Sequence, residues 1–398
     1  MGILDAPVVP RDRTGRRLDS LRVADVRREL SRRTVDRSRF RPTTAAPPTI
    51  TVASASSTNG VAIDPVSTLP ECLVGGRGWA HPTNGWNVAS WWRTDRALDV
   101  NGFTVAGYKI MVYCDKAKFE AQFYVPAGGS YRVKVDDEYV SPLATSFGVS
   151  GATRWLQMDF GSDKVRRIVI ETAALIIALK TDVTGTIWPA KPRGPRHIAF
   201  GDSYTGGATG ANGAAYTTWL SAAADSLGWE DTYQNAVGST GYLETIGGYA
   251  NTVAGQVARA VAAGVTPEVV ICTAGHNDTQ PQSSIVAAAV SAFAAMRAAW
   301  PSALIVCGGP WWVGGATAMA AWAARETAIF SAVDADVFIP QATGPGVPWF
   351  TGSGRVGATT GSGNSDAYVY SDNVHPTQAG HDYAGVRFAE ALREALSA

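Results

Sequence analysis

The strongest constraint on how this chain folds is a rhythm that begins near residue 195. Short apolar runs, RHIAF, TYQNAV, EVVICTA, ALIVCGG and ADVFI, alternate with alanine-rich segments at about residues 213–227, 251–263, 283–299 and 316–332, and a last such segment starts at Thr377. Runs of four to six apolar and β-branched residues fit buried strands, whereas the longer alanine-rich stretches fit helices. Strand and helix in strict alternation specify an α/β unit, a parallel sheet covered by helices on both faces. In such sheets reactive groups gather at the carboxyl ends of the strands. Every polar motif of this region can be tested against that rule.

At 398 residues the chain exceeds what one core normally serves, so a second domain is expected. Residues 46–190 supply it. YKIMVYC, KFEAQFYV, SYRVKVDDEYV, RWLQMDF, VRRIVIET and ALIIALK are short, rich in β-branched and aromatic residues, and separated by turn chemistry. With no long helical segment among them they read as an antiparallel β-sandwich, jelly-roll-like, with a turn near Asp136 and Asp137. Trp79, Trp86, Trp91 and Trp92 cluster ahead of these strands, where packing is the ordinary use of tryptophan and a sugar-stacking platform the rarer one.

Residues 1–45 form a charged arm and linker. Twelve arginines precede Pro42, and Leu18, Leu21, Val23, Val26 and Leu30 mark an imperfect helical stripe. The arm reads either as a polar tail or as a helix for docking or oligomerisation. Net charge is zero over the whole chain, which argues against nucleic acid as the main partner. No apolar run reaches the roughly 20 residues that a bilayer crossing needs. The first residues lack the apolar stretch of a secretory signal, and six acidic residues among the arginines argue against a transit peptide, so synthesis in the cytosol is expected. The four cysteines do not form a metal pattern. Cys272 and Cys307 end the apolar runs VVIC and LIVC and read as buried thiols, while Cys72 and Cys114 could pair only if the fold brings them together.

The polar motifs satisfy the strand-end rule. GDSYTGG, with Ser203, follows the first strand; NAVGSTGY follows the second; AGHND follows the third; SDNVHPTQAGH precedes the last helix. A serine hydroxyl is a weak nucleophile at neutral pH and needs a base beside it. Of five histidines, His81 lies in the β-rich zone and His197 begins a strand, which leaves His276, His375 and His381. Asp372 precedes His375 by three residues, close enough to hold its Nδ1–H and leave Nε2 for Ser203, which is the logic of a serine hydrolase. Pro376 suits the first turn of the last helix, so His381 falls inside that helix in a packing or capping role. Acyl transfer also needs donors for the oxyanion. The backbone at Gly238–Ser239, the side chain of Asn277 and the N–H of Ser203 are the candidates, and glycines around the serine leave it uncovered.

These four blocks, in this order, resemble the SGNH (GDSL) hydrolase superfamily over about residues 195–398. The resemblance implies a flavodoxin-like three-layer sheet, with Ser203 as nucleophile, His375 as base, Asp372 as its orienter and Asn277 as oxyanion donor. It implies no cofactor and no metal. Family members often carry two adjacent glycines where this chain has Gly238 and Ser239, so the backbone donor stays open between the two. A β-sandwich ahead of such a domain is similar to carbohydrate esterases that remove acetyl groups from polysaccharides, and VDDEY and LQMDFG…VRRIVIE resemble their accessory domain. The Arg-rich arm resembles, faintly, the start of actinobacteriophage tail-associated hydrolases, which implies virion docking or a homo-oligomer. The expected function is a serine esterase acting on short acyl esters, acetyl on a glycan above all. A lipid-ester or thioester hydrolase is the alternative within the class, and a non-catalytic glycan-binding virion protein the alternative outside it. His276 is expected to shape the pocket, with Trp311, Trp312 and the long segment carrying Trp349, Phe350, Tyr368 and Tyr370 as one wall.

Overall fold

The computed structural model describes residues 43–75, 79–80, 91–92, 108–125, 128–172, 174–207, 215–246, 251–311, 316–343 and 348–397. The arm up to residue 42, His81, Trp86 and Trp312 lie outside the described residues, as do the side chains of Trp79, Trp91 and Trp92. The described residues fall into two compact units, one within Asp36–Ala97 and Val105–Arg193, the other in Gly194–Ala398.

The first unit is built of antiparallel strands. Its main strands are β1 (Thr49–Ala53), β2 (Tyr108–Cys114), β3 (Lys118–Val125), β4 (Ser130–Val135), β5 (Ala152–Asp159), β6 (Arg166–Thr172), β7 (Leu175–Thr181) and β8 (Ile187–Pro189). One sheet runs β1-β5-β3-β7; the other runs β8-β2-β6-β4 and is extended by the short strand Glu138–Tyr139. Alternate residues of both sheets, among them Ile110, Val112, Phe119, Phe123, Val133, Leu156, Ile168 and Ile176, meet in one core. That is the sandwich expected from the short β-rich runs with no long helix among them. Asp136 and Asp137 turn the β4 hairpin with φ of 49° and 77°, the left-handed pair that a two-residue hairpin demands. Cys72 and Cys114 are free and buried in this core, so no disulfide joins them.

The second unit carries β9 (His197–Gly201), β10 (Thr232–Ala236), β11 (Val269–Thr273), β12 (Leu304–Gly308) and β13 (Val337–Ile339), all parallel, in the order β10-β9-β11-β12-β13. That is the 2-1-3-4-5 order of flavodoxin-like sheets. Helices α1 (Trp219–Leu227), α2 (Val253–Ala262), α3 (Gln282–Ala299), α4 (Ala316–Ala332) and α5 (Gln378–Ser397) cover it. Odd and even residues of β9 choose opposite faces. Ala199 packs with Trp219 and Leu220 of α1 and Phe388 and Leu392 of α5. Ile198 and Phe200 pack with Val253 of α2, Phe293 of α3 and Ile329 of α4. Burying each such side chain contributes about 1.5–3 kcal/mol, which fixes strand register as well as layer order.

One expectation needs correction. The first helical segment was expected from residue 213, but regular helix begins at Trp219, after a single 3₁₀ turn at Ala215–Thr217. Alanine content marks helix without marking its first residue. Helix α3, 18 residues long, is by length and composition alone apolar enough to cross a membrane. It is largely alanine, and Ile285, Ala289, Ala292, Phe293 and Met296 form its stripe against the sheet.

Candidate active site

Strand β9 ends at Gly201, and a side chain there would collide with its neighbour: a Cβ would lie 2.5 Å from the Thr273 carbonyl oxygen. Asp202 then caps a single helical turn, Ser203–Gly206, its Oδ1 accepting the Tyr204 N–H at 3.0 Å. The cap turns the chain sharply and leaves Ser203 half-buried at the sheet edge, beyond the carboxyl end of β9.

Ser203 meets the loop before α5. Its Oγ lies 2.8 Å from Nε2 of His375, and His375 Nδ1 lies 2.7 Å from Oδ2 of Asp372. The other oxygen, Oδ1, accepts the backbone N–H groups of Val374 at 2.9 Å and His375 at 3.0 Å. Partial burial alone would raise the Asp372 carboxyl, but the bonds from the His375 ring and from both amides outweigh it and hold the group below its ordinary range. Asp372 is therefore ionised at neutral pH and only accepts, so the imidazole proton sits on Nδ1. Nε2 is left to accept the Ser203 hydroxyl proton. Asn373 makes the turn possible at φ 60°, a conformation asparagine tolerates.

The remaining sequence candidates share the loop after β10. Its first residue, Val237, donates its N–H to the Gly201 carbonyl at 3.1 Å. Gly238 follows, and Ser239 takes a left-handed φ of 59°. Asn277 reaches this loop from the end of β11, donating from Nδ2 to the Thr240 carbonyl at 2.9 Å. The structure thus gathers Ser203, His375 and Asp372 into one hydrogen-bonded row and joins Asn277 to the Gly238–Ser239 turn.

Two residues that frame this loop had been given no role. Gln256 of α2 is fully buried: its Oε1 accepts the Gly201 N–H at 3.1 Å, and its Nε2 reaches the Gly201 carbonyl at 3.0 Å and Thr240 Oγ1 at 3.1 Å. Its signal was available, since it is a polar residue on the buried stripe of Val253, Val257 and Ala260. Asp278 accepts the N–H groups of Tyr242, Leu243 and Glu244, each at 2.8 Å. Its carboxylate lies where a Cβ on Gly241 would be, 2.4 Å away. The AGHND motif contained it, but three backbone donors leave no mark in sequence.

Around Ser203 and His375 the setting is aromatic. The Tyr204 ring lies 5.9 Å from Trp311 in a stacked arrangement, 5.1 Å from His276 edge-on and 5.7 Å from His375. His276 bonds through Nδ1 to the Trp311 carbonyl at 2.8 Å and stacks on Trp322 at 5.1 Å. Burial pushes its ring below the ordinary histidine value, aided by the nearby His375, so it is neutral at neutral pH. His276 therefore lies beside the site, as expected. The aromatic wall does not form as expected: Trp311, Trp349 and Phe350 are buried in the core between the sheet and α1 and α5. Large apolar rings gain more there than at an open rim. His381 also takes its expected capping role, its Nδ1 accepting the Trp219 N–H at the start of α1. Among the described residues no group of three or more His, Cys, Asp or Glu side chains could hold a metal ion.

Residues 199–383 match the sequence profile of the GDSL-like Lipase/Acylhydrolase family. No curated protein matches the chain. Several solved structures share its fold. A family two carbohydrate esterase from Clostridium thermocellum, in complex with cellohexaose, is 17% identical, with 74% of this chain and 94% of that one covered and a TM-score of 0.53. An acetyl xylan esterase from Butyrivibrio proteoclasticus is 13% identical, with 85% and 99% covered and a TM-score of 0.56. A GDSL-like lipase-type protein from Bacteroides ovatus is 14% identical, with 88% and 98% covered and a TM-score of 0.57. At such identities the likeness establishes the fold, while the profile match bears on the chemistry. Residues 199–383, nearly all of the parallel-sheet unit, thus resemble the GDSL-like lipases and acylhydrolases, which supports a carboxylic ester hydrolase.

Proposed function

We propose that this protein is a serine esterase that removes short acyl groups, acetyl above all, from a carbohydrate. The observation that carries the mechanism is the row Ser203 Oγ, His375 and Asp372, linked at 2.8 and 2.7 Å. In this reading Ser203 attacks the ester carbonyl while its proton passes to His375 Nε2. Asp372 stabilises the imidazolium that forms and keeps the ring in the useful tautomer. The tetrahedral oxyanion is held by the N–H of Ser203, by a backbone N–H of Gly238 or Ser239, and by Asn277. One N–H of the Asn277 amide is engaged by Thr240, which leaves the other for the oxyanion. His375 then protonates the departing alcohol, and a water molecule, activated by the same base, hydrolyses the acyl-enzyme. The scheme needs no metal and no cofactor.

The carbohydrate part of the proposal rests on similarity. The solved relatives include an acetyl xylan esterase and a carbohydrate esterase bound to cellohexaose. In the same reading residues 195–398 form the catalytic domain and 46–190 an accessory domain. The test is hydrolysis of p-nitrophenyl acetate and of acetylated xylan by the intact protein and by Ser203→Ala. Loss of both activities in the variant, by at least 10³-fold, is the expected result. Undiminished turnover in Ser203→Ala would remove the serine from the mechanism. Turnover of the aryl ester without release of acetate from any acetylated sugar would overturn the carbohydrate assignment alone.

A further inference from the structure

We propose that Tyr204 is a positioning residue whose hydroxyl clamps the peptide leading into His375, so that one side chain sets the base against the nucleophile that precedes it. The proposal rests on the reading of Ser203 and His375 as nucleophile and base. Tyr204 follows Ser203 directly, is fully buried, and donates its hydroxyl proton to the Val374 carbonyl. That carbonyl belongs to the same peptide as the His375 N–H, which donates to Asp372 Oδ1 at 3.0 Å. The hydroxyl, the peptide and the carboxylate therefore form one chain of hydrogen bonds. Donation to an amide carbonyl polarises the amide and strengthens its N–H as a donor. The tyrosine thus acts on Asp372 as well as on the place of the imidazole.

The need for a clamp is visible in the turn itself. Ser371, Asp372, Asn373 and Val374 are all exposed, so packing does not hold them. The Tyr204 hydroxyl reaches this turn from the interior, while the His375 carbonyl is held from the other side by the Tyr370 N–H at 2.8 Å. The phenol ring is itself fixed, stacked on Trp311 and set edge-on to His276. Burial and the neighbouring Asp202 and Asp372 keep the phenol protonated, hence a donor.

Tyr204→Phe keeps the ring and removes the clamp. The probe is an alkyl fluorophosphonate, which phosphonylates an activated serine and reports its nucleophilicity without an ester substrate. In the intact protein the inactivation rate and kcat on p-nitrophenyl acetate should each fall about tenfold, with KM within about twofold, the loss expected for one hydrogen bond. Final labelling should still reach one per chain and the thermal midpoint should fall by only a few degrees, which a core-filling role with partial unfolding would not give. In an Asp372→Asn background the effect of Tyr204→Phe should shrink below twofold, because the two residues act through one peptide. Rates within twofold of wild type, full additivity with Asp372→Asn, or a variant that does not fold would each overturn the proposal. Labelling that persists in Ser203→Ala would instead overturn the esterase reading on which it rests.

Discussion

Asp202 stands between the strand end and Ser203 with one carboxylate oxygen bonded to the Tyr204 amide and the other, Oδ2, buried without a partner among the described residues. Burial pushes its carboxyl up from 3.8 to about 7, and the negative charge of Asp278 adds to that. The sign follows from linkage. Below pH 3.8 both folded and unfolded chains carry this proton, and the group costs the fold nothing. Between about 4 and 7 the unfolded chain ionises while the folded one does not, so stability is lost as pH rises, by up to about 4 kcal/mol. Asp202→Asn keeps the cap oxygen and removes the titration. Urea unfolding at pH 5 and pH 8 should show wild type losing stability relative to the variant, and parallel curves would sink the idea. Asn277 makes the second prediction at this scale. In the proposed mechanism its replacement by alanine should lower kcat by about 10²–10³ with a much smaller change in KM, since the donor would act on the oxyanion formed in the transition state. An active Asn277→Ala would take the residue out of the mechanism.

Helices α1 and α5 cross at Gly385, where a Cβ would lie 2.4 Å from both the Ala222 Cβ and the Trp219 carbonyl oxygen. His381, one turn earlier on α5, accepts the first N–H of α1. Gly385→Ala should therefore force the helices apart and cost about 1–3 kcal/mol. Because α5 follows His375, thermal denaturation should register the loss and kcat should fall with it. A midpoint unchanged within a degree would mean that the crossing has slack. Elements of this kind were readable in sequence to different depths. The five parallel strands were legible because each is a short apolar run, and the helix at 316–332 was legible to the residue. The start of α1 was not, since alanine favours helix without choosing its end. Ser203, His375 and Asp372 could be paired because side-chain chemistry and spacing select them. Tyr204 could not, because its partner is the Val374 carbonyl, and a carbonyl has no sequence signature. Trp311 and Trp349 misled for a related reason: a tryptophan beside a loop looks the same in sequence whether it faces substrate or core.

At the scale of the molecule, each unit has its own interior. Among the described residues, the sandwich core draws on residues from Ile50 to Ile187, while the two cores of the parallel sheet draw on residues from Ile198 to Leu396. A unit that buries its own apolar surface unfolds as its own cooperative body, unless a large apolar interface couples it to the next. Calorimetry of the intact protein should then resolve two transitions. A fluorophosphonate attached to Ser203 is bonded to the unit of residues 194–398, and a group bound to one folded unit stabilises that unit. Phosphonylation should thus raise one midpoint by several degrees and leave the other within about one degree. The transition that stays should also be insensitive to Asp202→Asn and Gly385→Ala, because both substitutions lie in the unit that moves. A single transition displaced as a whole by the label would show that the two cores melt together, and the sandwich would then contribute directly to the stability of the esterase.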